Sequence, residues 1–436
     1  MRILLLSHFF PPLNAIASHR AYGWARAWTE MGHEVHVVTP VKYPIDGPFG
    51  LDLPMDGLTV LAVPYFWDRL ERAAPSPPSA MQNARWSDVK RRTRALRNRL
   101  GPLGDVRMLL VPSLVHAGAA LAARLPFDLM VSNFGPASTL IAGSILARRT
   151  GLPWVVDYQD LWSGNYATRR DGRAGRIGTT FERALTRHAA MVVTLSQGLR
   201  KRLEETLGRE AVVIYFGYLD DGDPPALRRR AEQSAHLVYA GRVYERLQTA
   251  SRFFRCAGRA LARRPDLAER LRVDFFGPEQ AVLQQMADHH GAAAIVHLHG
   301  AVAWQDAVAI GRDAEALLFF DWLDADAEGV LPGKLFEYLR SGRPIVFIGS
   351  GAETEAAQVA RRSGAAIVLQ SEGAIEQLLL DWPTGIPSLS RDESFVAELS
   401  CRHQARLLLA EIERRVLPSV AATGHSSSSR SSSTSR

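Results

Sequence analysis

Short, wholly apolar runs alternate along this chain with longer segments of helical spacing, and that alternation limits the possible folds more than any other feature. The opening run RILLLS (2–7) is continuous rather than alternating, the pattern of a strand covered on both faces of a parallel sheet. Residues 17–32 then place Ala21, Trp24, Ala25 and Trp28 on one helical stripe, with Gly32 as C-cap. HEVHVVTP (33–40) reads as the next strand, completing a βαβ opening. Strands follow at 127–133, 153–160, 190–196 and 211–217, with helices at 137–150, 174–189 and 197–207. The series predicts a layered α/β domain of roughly 220 residues.

The stretch DDGDPPALRRRAEQS (220–234) interrupts the pattern with Asp, Gly, Pro and charge, and reads as a linker. A second α/β series follows, with strands at 236–241, 271–277, 294–300, 316–322, 344–349 and 365–370. Its helices fall at 247–264, 304–312, 333–341 and 354–362. The expected organisation is an N-terminal domain (1–219), the linker, a C-terminal domain (235–390) and a helical segment (391–418). The Ser-rich tail 419–436 is expected to be disordered. Two doubly wound domains in tandem leave an interdomain cleft, and such sheets place ligands at the C-terminal ends of their strands.

The apolar start is short, lacks a small-residue cleavage site and runs into Pro11-Pro12, so a buried strand is expected rather than a signal peptide. No segment reads as the roughly 20 apolar residues of a membrane-spanning helix, so a soluble, at most peripheral protein is expected. Cys256 and Cys401 are the only cysteines. They are too few for a disulfide framework or a cysteine zinc site, and a reducing cytoplasm is the expected compartment. The net charge of +7 suits nucleic acid, anionic lipid or a phosphorylated substrate without choosing among them. Residues 69–107 hold ten Lys or Arg against Glu71, Asp88 and Asp105, interleaved with apolar residues. This stretch suits an anionic membrane surface or a solvated helix face. Nucleic acid is set aside because no recognised binding module accompanies it.

Candidate anion contacts gather in the second series. YAGRVYER (239–246) ends a strand at Gly241 and sets Arg242 and Arg246 just beyond it, where guanidinium groups reach an anion; two solvated arginines are the plain alternative. In PGKLFEYLRSGRPIV (332–346), Pro332 and Gly333 open a helix whose free N–H groups favour negative charge, and Lys334 adds a full positive charge. Glu337, three residues on, suits two ribose hydroxyls or an ordinary surface pair with Lys334. The first strand-to-helix loop, SHFFPPLNAIASH (7–19), has no glycine, which argues against a dinucleotide dehydrogenase. Asn14 and Ala15 are small enough there for close backbone approach.

Asp157 and Asp160 stand at a strand's C-terminal end in VVDYQDLWSGN (155–165), suited to contacting an acceptor hydroxyl or to capping a turn. The triplet Asp324-Ala325-Asp326 matches a D-x-D metal motif only weakly. His289, His290, His297 and His299 lack evident carboxylate or cysteine partners and read as packing and loop residues. No metal site is expected.

Together these pieces resemble the GT-B glycosyltransferases of family 4 from Arg2 to about residue 416. The carriers are the opening βαβ, GLPWVVDYQDLW, HAAMVVTLSQGLRKRL, VVIYFGYLD, YAGRVYER and, most specifically, GVLPGKLFEYLRSGRPIV. The D-L-W segment is nearest a lipopolysaccharide- and sugar-modifying branch, with Gln159 replacing the usual Arg and Phe216-Gly217 standing where Asn-Gly is common. The resemblance implies two Rossmann-like domains facing a cleft, and retaining transfer of a sugar from a nucleotide-diphosphate sugar, UDP- or GDP-linked, with no cofactor. The acceptor would be a hydroxyl of a glycan, a lipid-linked glycan or a small molecule.

The resemblance assigns Arg242 and Arg246 to the donor diphosphate and Glu337 to the nucleotide ribose. Gly277, Gly333, Lys334 and Leu335 complete the donor set, and Asn14 and Ala15 lie near it. A second glutamate, eight positions before Glu337, falls on Gly329; Glu328 is the nearest carboxylate and, with Asp160 at the acceptor, the candidate catalytic pair. A nucleotide-sugar epimerase or hydrolase of this fold, and a non-catalytic binding protein built on it, are the alternatives.

Overall fold

The computed structural model describes residues 1–44, 46–65, 105–164, 172–220, 235–244, 247–323, 329–382 and 385–417. Most of the basic stretch 69–107 lies outside them, as do the linker from 221, Arg246, the Asp324–Asp326 triplet, Glu328 and the Ser-rich tail. The chain forms two compact units, Met1–Tyr215 joined by the chain from Cys401, and Phe216–Ser400.

The first unit is built on seven parallel strands: β1 (Arg2–Leu6), β2 (Glu34–Pro40), β3 (Thr59–Val63), β4 (Leu129–Phe134), β5 (Trp154–Tyr158), β6 (Met191–Thr194) and β7 (Val212–Val213). Their order is β3-β2-β1-β4-β5-β6-β7, so the winding direction reverses between β1 and β4. Leu4 sits beside His36 of β2 on one side and Met130 of β4 on the other. Ile3 to Leu6 are buried, as the continuous apolar run requires. Helix Ile16–Glu30 buries Ala21, Trp24, Ala25 and Trp28, and Gly32 follows it at φ 85°. Helix Cys401–Arg415 belongs to this unit, where Ala405 O accepts a hydrogen bond from Trp28 Nε1 at 3.1 Å. The other helix of the 391–418 stretch, Glu393–Glu398, belongs to the second unit.

The expected strand 211–217 contracts to Val212–Val213, because the Tyr215 amide donates to the Gln404 side chain at 2.8 Å instead of extending the ladder. Sequence reading also passed over β3 and helix Val111–Arg124. That helix, with the 3₁₀ turn Val106–Leu110 before it, is long and apolar enough to cross a membrane by length and composition, contrary to expectation. It packs on helix Ala137–Thr150 through Gly118, where an added Cβ would lie 2.5 Å from Leu146 Cδ1.

The second unit carries six parallel strands: β8 (Ala235–Ala240), β9 (Leu271–Phe276), β10 (Val296–Gly300), β11 (Ala316–Phe320), β12 (Ile345–Ile348) and β13 (Ala366–Leu369). Their order is β10-β9-β8-β11-β12-β13, again doubly wound. One core joins Tyr239, Phe253, Phe254, Phe275 and Phe320, with the Tyr239 and Phe320 rings stacked at 4.8 Å. Helices Ala250–Arg263 and Gln280–His290 pack closely: a Cβ on Gly258 would fall 1.7 Å from His290 O.

Candidate functional site

In the second unit, glycines at the ends of adjacent strands shape the site. Ala240 pairs with Phe276 at the ends of β8 and β9, and the next residue on each strand is a glycine. The Gly241 amide donates to Phe276 O at 2.7 Å, and Gly241 adopts φ +124°, a conformation that side chains resist. A Cβ on Gly277 would lie 2.4 Å from Gly241 O, and a Cβ on Gly241 would lie 2.9 Å from Lys334 Cε and Nζ. The missing side chains let the two backbones meet and leave room for the lysine.

The Lys334 ammonium occupies that room, 3.6 Å from the centroid of the Tyr239 ring. Burial pulls its pKa down to about 7, and the Glu279 carboxylate acts in the opposite direction. The buried Tyr239 donates its hydroxyl to Arg242 O at 2.7 Å, which ties the ring to the loop after β8. Glu279 accepts from the Val243 amide at 3.2 Å and pairs with Arg242 Nη1 at 3.2 Å, while the Arg242 side chain stays 59% exposed.

Helix Gly333–Arg340 starts behind Pro332 with no side-chain cap. The Tyr338 hydroxyl accepts from the Ala240 amide at 3.0 Å, fastening the helix to the end of β8. Glu337 is half-buried on this helix. Leu335 is fully buried, and its amide donates to Pro332 O at 3.0 Å. The structure thus gathers Arg242, Gly277, Gly333 and Lys334, while Gly329 sits in a turn at φ +88°. An uncapped helix start, a desolvated lysine and an exposed guanidinium are each groups that favour a negative charge.

Sequence reasoning missed Tyr239, Glu279 and Asp321. Asp321, directly after β11, is buried; its Oδ2 accepts from Thr354 Oγ1 at 2.9 Å, and burial raises its pKa. An acid ending an apolar strand, as in FFDW, was the available signal. Of the four candidate histidines, His299 does have a carboxylate partner, Asp274. It contacts His299 Nε2, His236 Nε2 (2.5 Å) and Arg272 Nε (2.7 Å), and these partners hold its pKa well below the usual carboxylate range against the cost of its burial.

In the first unit, the two candidate aspartates separate. Asp157 is buried and bound to Arg20 through Nη2 (2.8 Å) and Nε (3.0 Å), and it also accepts from Asn133 Nδ2 at 2.7 Å. Arg20 donates as well to Tyr215 O at 2.7 Å and lies 4.2 Å from the Trp24 ring. Asp157 is therefore a structural ion-pair residue and not an acceptor contact. Asp160 is exposed two residues past β5, with Oδ1 accepting from the Leu161 amide at 2.8 Å. Beside it Trp162 stacks on Phe134 at 5.9 Å, and the Ser163 amide donates to the buried Glu182 at 3.0 Å. Asn14 and Ala15 are half-buried, and Ala15 is the N-cap position of helix Ile16–Glu30.

A second polar cluster, also missed, lies at the ends of β1, β2 and β3. Asp46 accepts from the Tyr65 hydroxyl at 2.6 Å and the Tyr43 amide at 3.0 Å, and faces His8 Nε2 at 3.2 Å and Arg107 Nε at 3.5 Å. Lys42 donates to His8 O and to Thr39 Oγ1. Burial lowers His8 to about 4 and Lys42 to about 7. In the first loop the sequence singles out Asn14 and Ala15, not His8.

Residues 17–218 match the model of a glycosyl transferase 4-like domain. No curated protein matches the chain. Sucrose-phosphate synthase from Thermosynechococcus elongatus is similar in structure, with 13% identity, a TM-score of 0.58, and 96% of this chain and 99% of that one covered. Anabaena HepE in complex with UDP shares 14% identity at a TM-score of 0.55, covering 98% and 100%. An α,α-trehalose-phosphate synthase (UDP-forming) from Burkholderia vietnamiensis shares 12% at 0.59, covering 97% and 99%. The chain thus has the two-domain GT-B fold, matches the model of a glycosyl transferase 4-like domain over residues 17–218 and resembles the family 4 glycosyltransferases.

Proposed function

We propose that this protein transfers a sugar, with retention, from a UDP- or GDP-linked donor to a hydroxyl of a glycan, lipid-linked or small-molecule acceptor. The observation that carries this reading is the Lys334 ammonium, lodged between Gly241 and the Tyr239 ring at the uncapped start of helix Gly333–Arg340. Lys334, the helix N–H groups and Arg242 stabilise the charge that develops on the departing diphosphate, while Glu337 accepts from the ribose hydroxyls. Arg246 and Glu328 join this set as donor contacts on the strength of the sequence alone. Asp160 contacts the acceptor. No covalent sugar adduct on a carboxylate is required in this scheme, in contrast to retaining glycosidases.

A UDP complex in a structural neighbour and the transferase-like domain over residues 17–218 support the reading. Incubation with a panel of UDP-, GDP- and ADP-sugars, followed by NMR of the product's anomeric proton, tests it. A product with the donor's configuration is expected; an inverted product, or free sugar whatever acceptor is offered, overturns it.

The same reading places the protein in the cytoplasm, at the inner face of the membrane. Its support is the basic stretch 69–107, which runs into the apolar segment Val106–Arg124, where Leu109 is exposed. Flotation with anionic vesicles is expected, and its absence removes the membrane assignment.

A further inference from the structure

Glu279 holds the N-cap position of helix Gln280–His290 but makes no capping hydrogen bond there. Its carboxylate reaches instead to the loop after β8. Oε2 accepts from the Val243 amide at 3.2 Å, and Oε1 pairs with Arg242 Nη1 at 3.2 Å. A Cβ on Gly277 would lie 3.8 Å from Oε2, which sets the carboxylate beside the glycines that end β8 and β9. The same carboxylate acts on Lys334, raising its pKa against the lowering effect of burial. An acid thus stands among the cations that the donor reading assigns to a diphosphate.

The backbone around Arg242 is held at three points. The Gly241 amide donates to Phe276 O, the Tyr239 hydroxyl donates to Arg242 O, and the Val243 amide donates to Glu279. Val243 is itself buried, while the Arg242 side chain stays mostly exposed. The two Glu279 oxygens therefore have separate tasks: Oε2 keeps the loop in shape whether or not Oε1 keeps the guanidinium. An ion pair so open to water is weak, and a phosphate group offers a guanidinium a stronger, two-point contact.

We propose that Glu279 is the internal counter-ion of this cation cluster and a positioning residue for the donor diphosphate. In the free protein its carboxylate holds Arg242. A bound diphosphate takes over the guanidinium, and Glu279 keeps the Val243 amide. The carboxylate left beside the diphosphate repels it, which weakens the hold on the donor and favours release of the spent nucleotide. Calling the anion a donor diphosphate rests on the transferase reading; the counter-ion role does not.

The test is calorimetric titration of the full chain, at constant ionic strength, with inorganic pyrophosphate and with UDP, GDP and ADP. The wild type is compared with Glu279→Gln, Arg242→Ala and the double variant. Glutamine still accepts from the Val243 amide but carries no charge. Glu279→Gln should therefore bind pyrophosphate about fivefold or more tighter than the wild type, with a Tm within about 2 °C of it. In the Arg242→Ala background the same substitution should gain about twofold or less, because no guanidinium remains to be exchanged. A residue that only braced the loop would not raise affinity when changed.

Pyrophosphate affinity that is equal or weaker in Glu279→Gln, no pyrophosphate binding in either protein, or an undiminished gain without Arg242 overturns the proposal. A gain for pyrophosphate in a protein that binds none of the nucleotides leaves the counter-ion standing and sinks the donor reading instead. Nucleotide binding with no gain in Glu279→Gln does the reverse.

Discussion

The Lys334 ammonium lies 3.6 Å from the centroid of the Tyr239 ring and 2.9 Å from where a Gly241 side chain would begin. Burial lowers the pKa of a lysine held this way to about 7. Its folded-state pKa is below the ordinary lysine value, so the folded protein binds fewer protons than the unfolded chain between about pH 7 and 10. The free protein therefore gains stability from this group as pH rises through that window.

Donor binding should run the other way. A diphosphate at Lys334 favours the charged form, so nucleotide affinity should fall by up to about tenfold per pH unit above pH 7, with proton uptake on binding. Calorimetry in two buffers of different ionisation enthalpy measures that uptake. Lys334→Met should abolish the uptake and weaken binding by about 10- to 100-fold.

The two glycines should be intolerant for different reasons. Gly241→Ala forces a side chain into φ +124° and against Lys334, so it should cost about 1–3 kcal/mol of stability and displace the ammonium. Gly277→Ala sets its Cβ 2.4 Å from Gly241 O, so the strand ends must part. Both variants should lose nucleotide affinity together with stability, read by urea denaturation and nucleotide titration.

Arg20 and Asp157 form a buried pair whose breakage should be severe. Asp157→Ala or Arg20→Ala should cost about 3–5 kcal/mol by leaving a buried charge unpaired, whereas replacing both with apolar residues should cost much less. A double-mutant cycle in urea checks the coupling.

Asp160→Ala should leave nucleotide binding unchanged and lower kcat/KM for the acceptor by about 10²-fold or more. Steady-state kinetics with each substrate varied in turn separates the two effects.

The two sheets were legible because fully covered parallel strands write themselves as continuous apolar runs, as in Ile3–Leu6 and Leu317–Phe320. β3 escaped notice because Thr59 to Ala62 are exposed at the sheet's edge, so TVLAV lacks both a covered run and a clean alternation in context. The cluster around Lys334 was partly legible, since Pro332, Gly333 and Lys334 are neighbours in sequence. Tyr239 and Glu279 were not, because their roles depend on the β8–β9 register that brings Gly241 to Gly277. The choice between Asp157 and Asp160 turned on Arg20, which is 137 residues from Asp157 along the chain. No local pattern encodes that pairing.

The most direct test of the central claim is nucleotide release from the nucleotide sugar that binds, measured with and without acceptor, in the wild type and in Lys334→Ala and Glu337→Ala. Saturable donor binding and acceptor-dependent release are predicted for the wild type, with each variant reduced by about 10²-fold or more. Donor binding with no acceptor-dependent release, or full activity in both variants, would contradict the account.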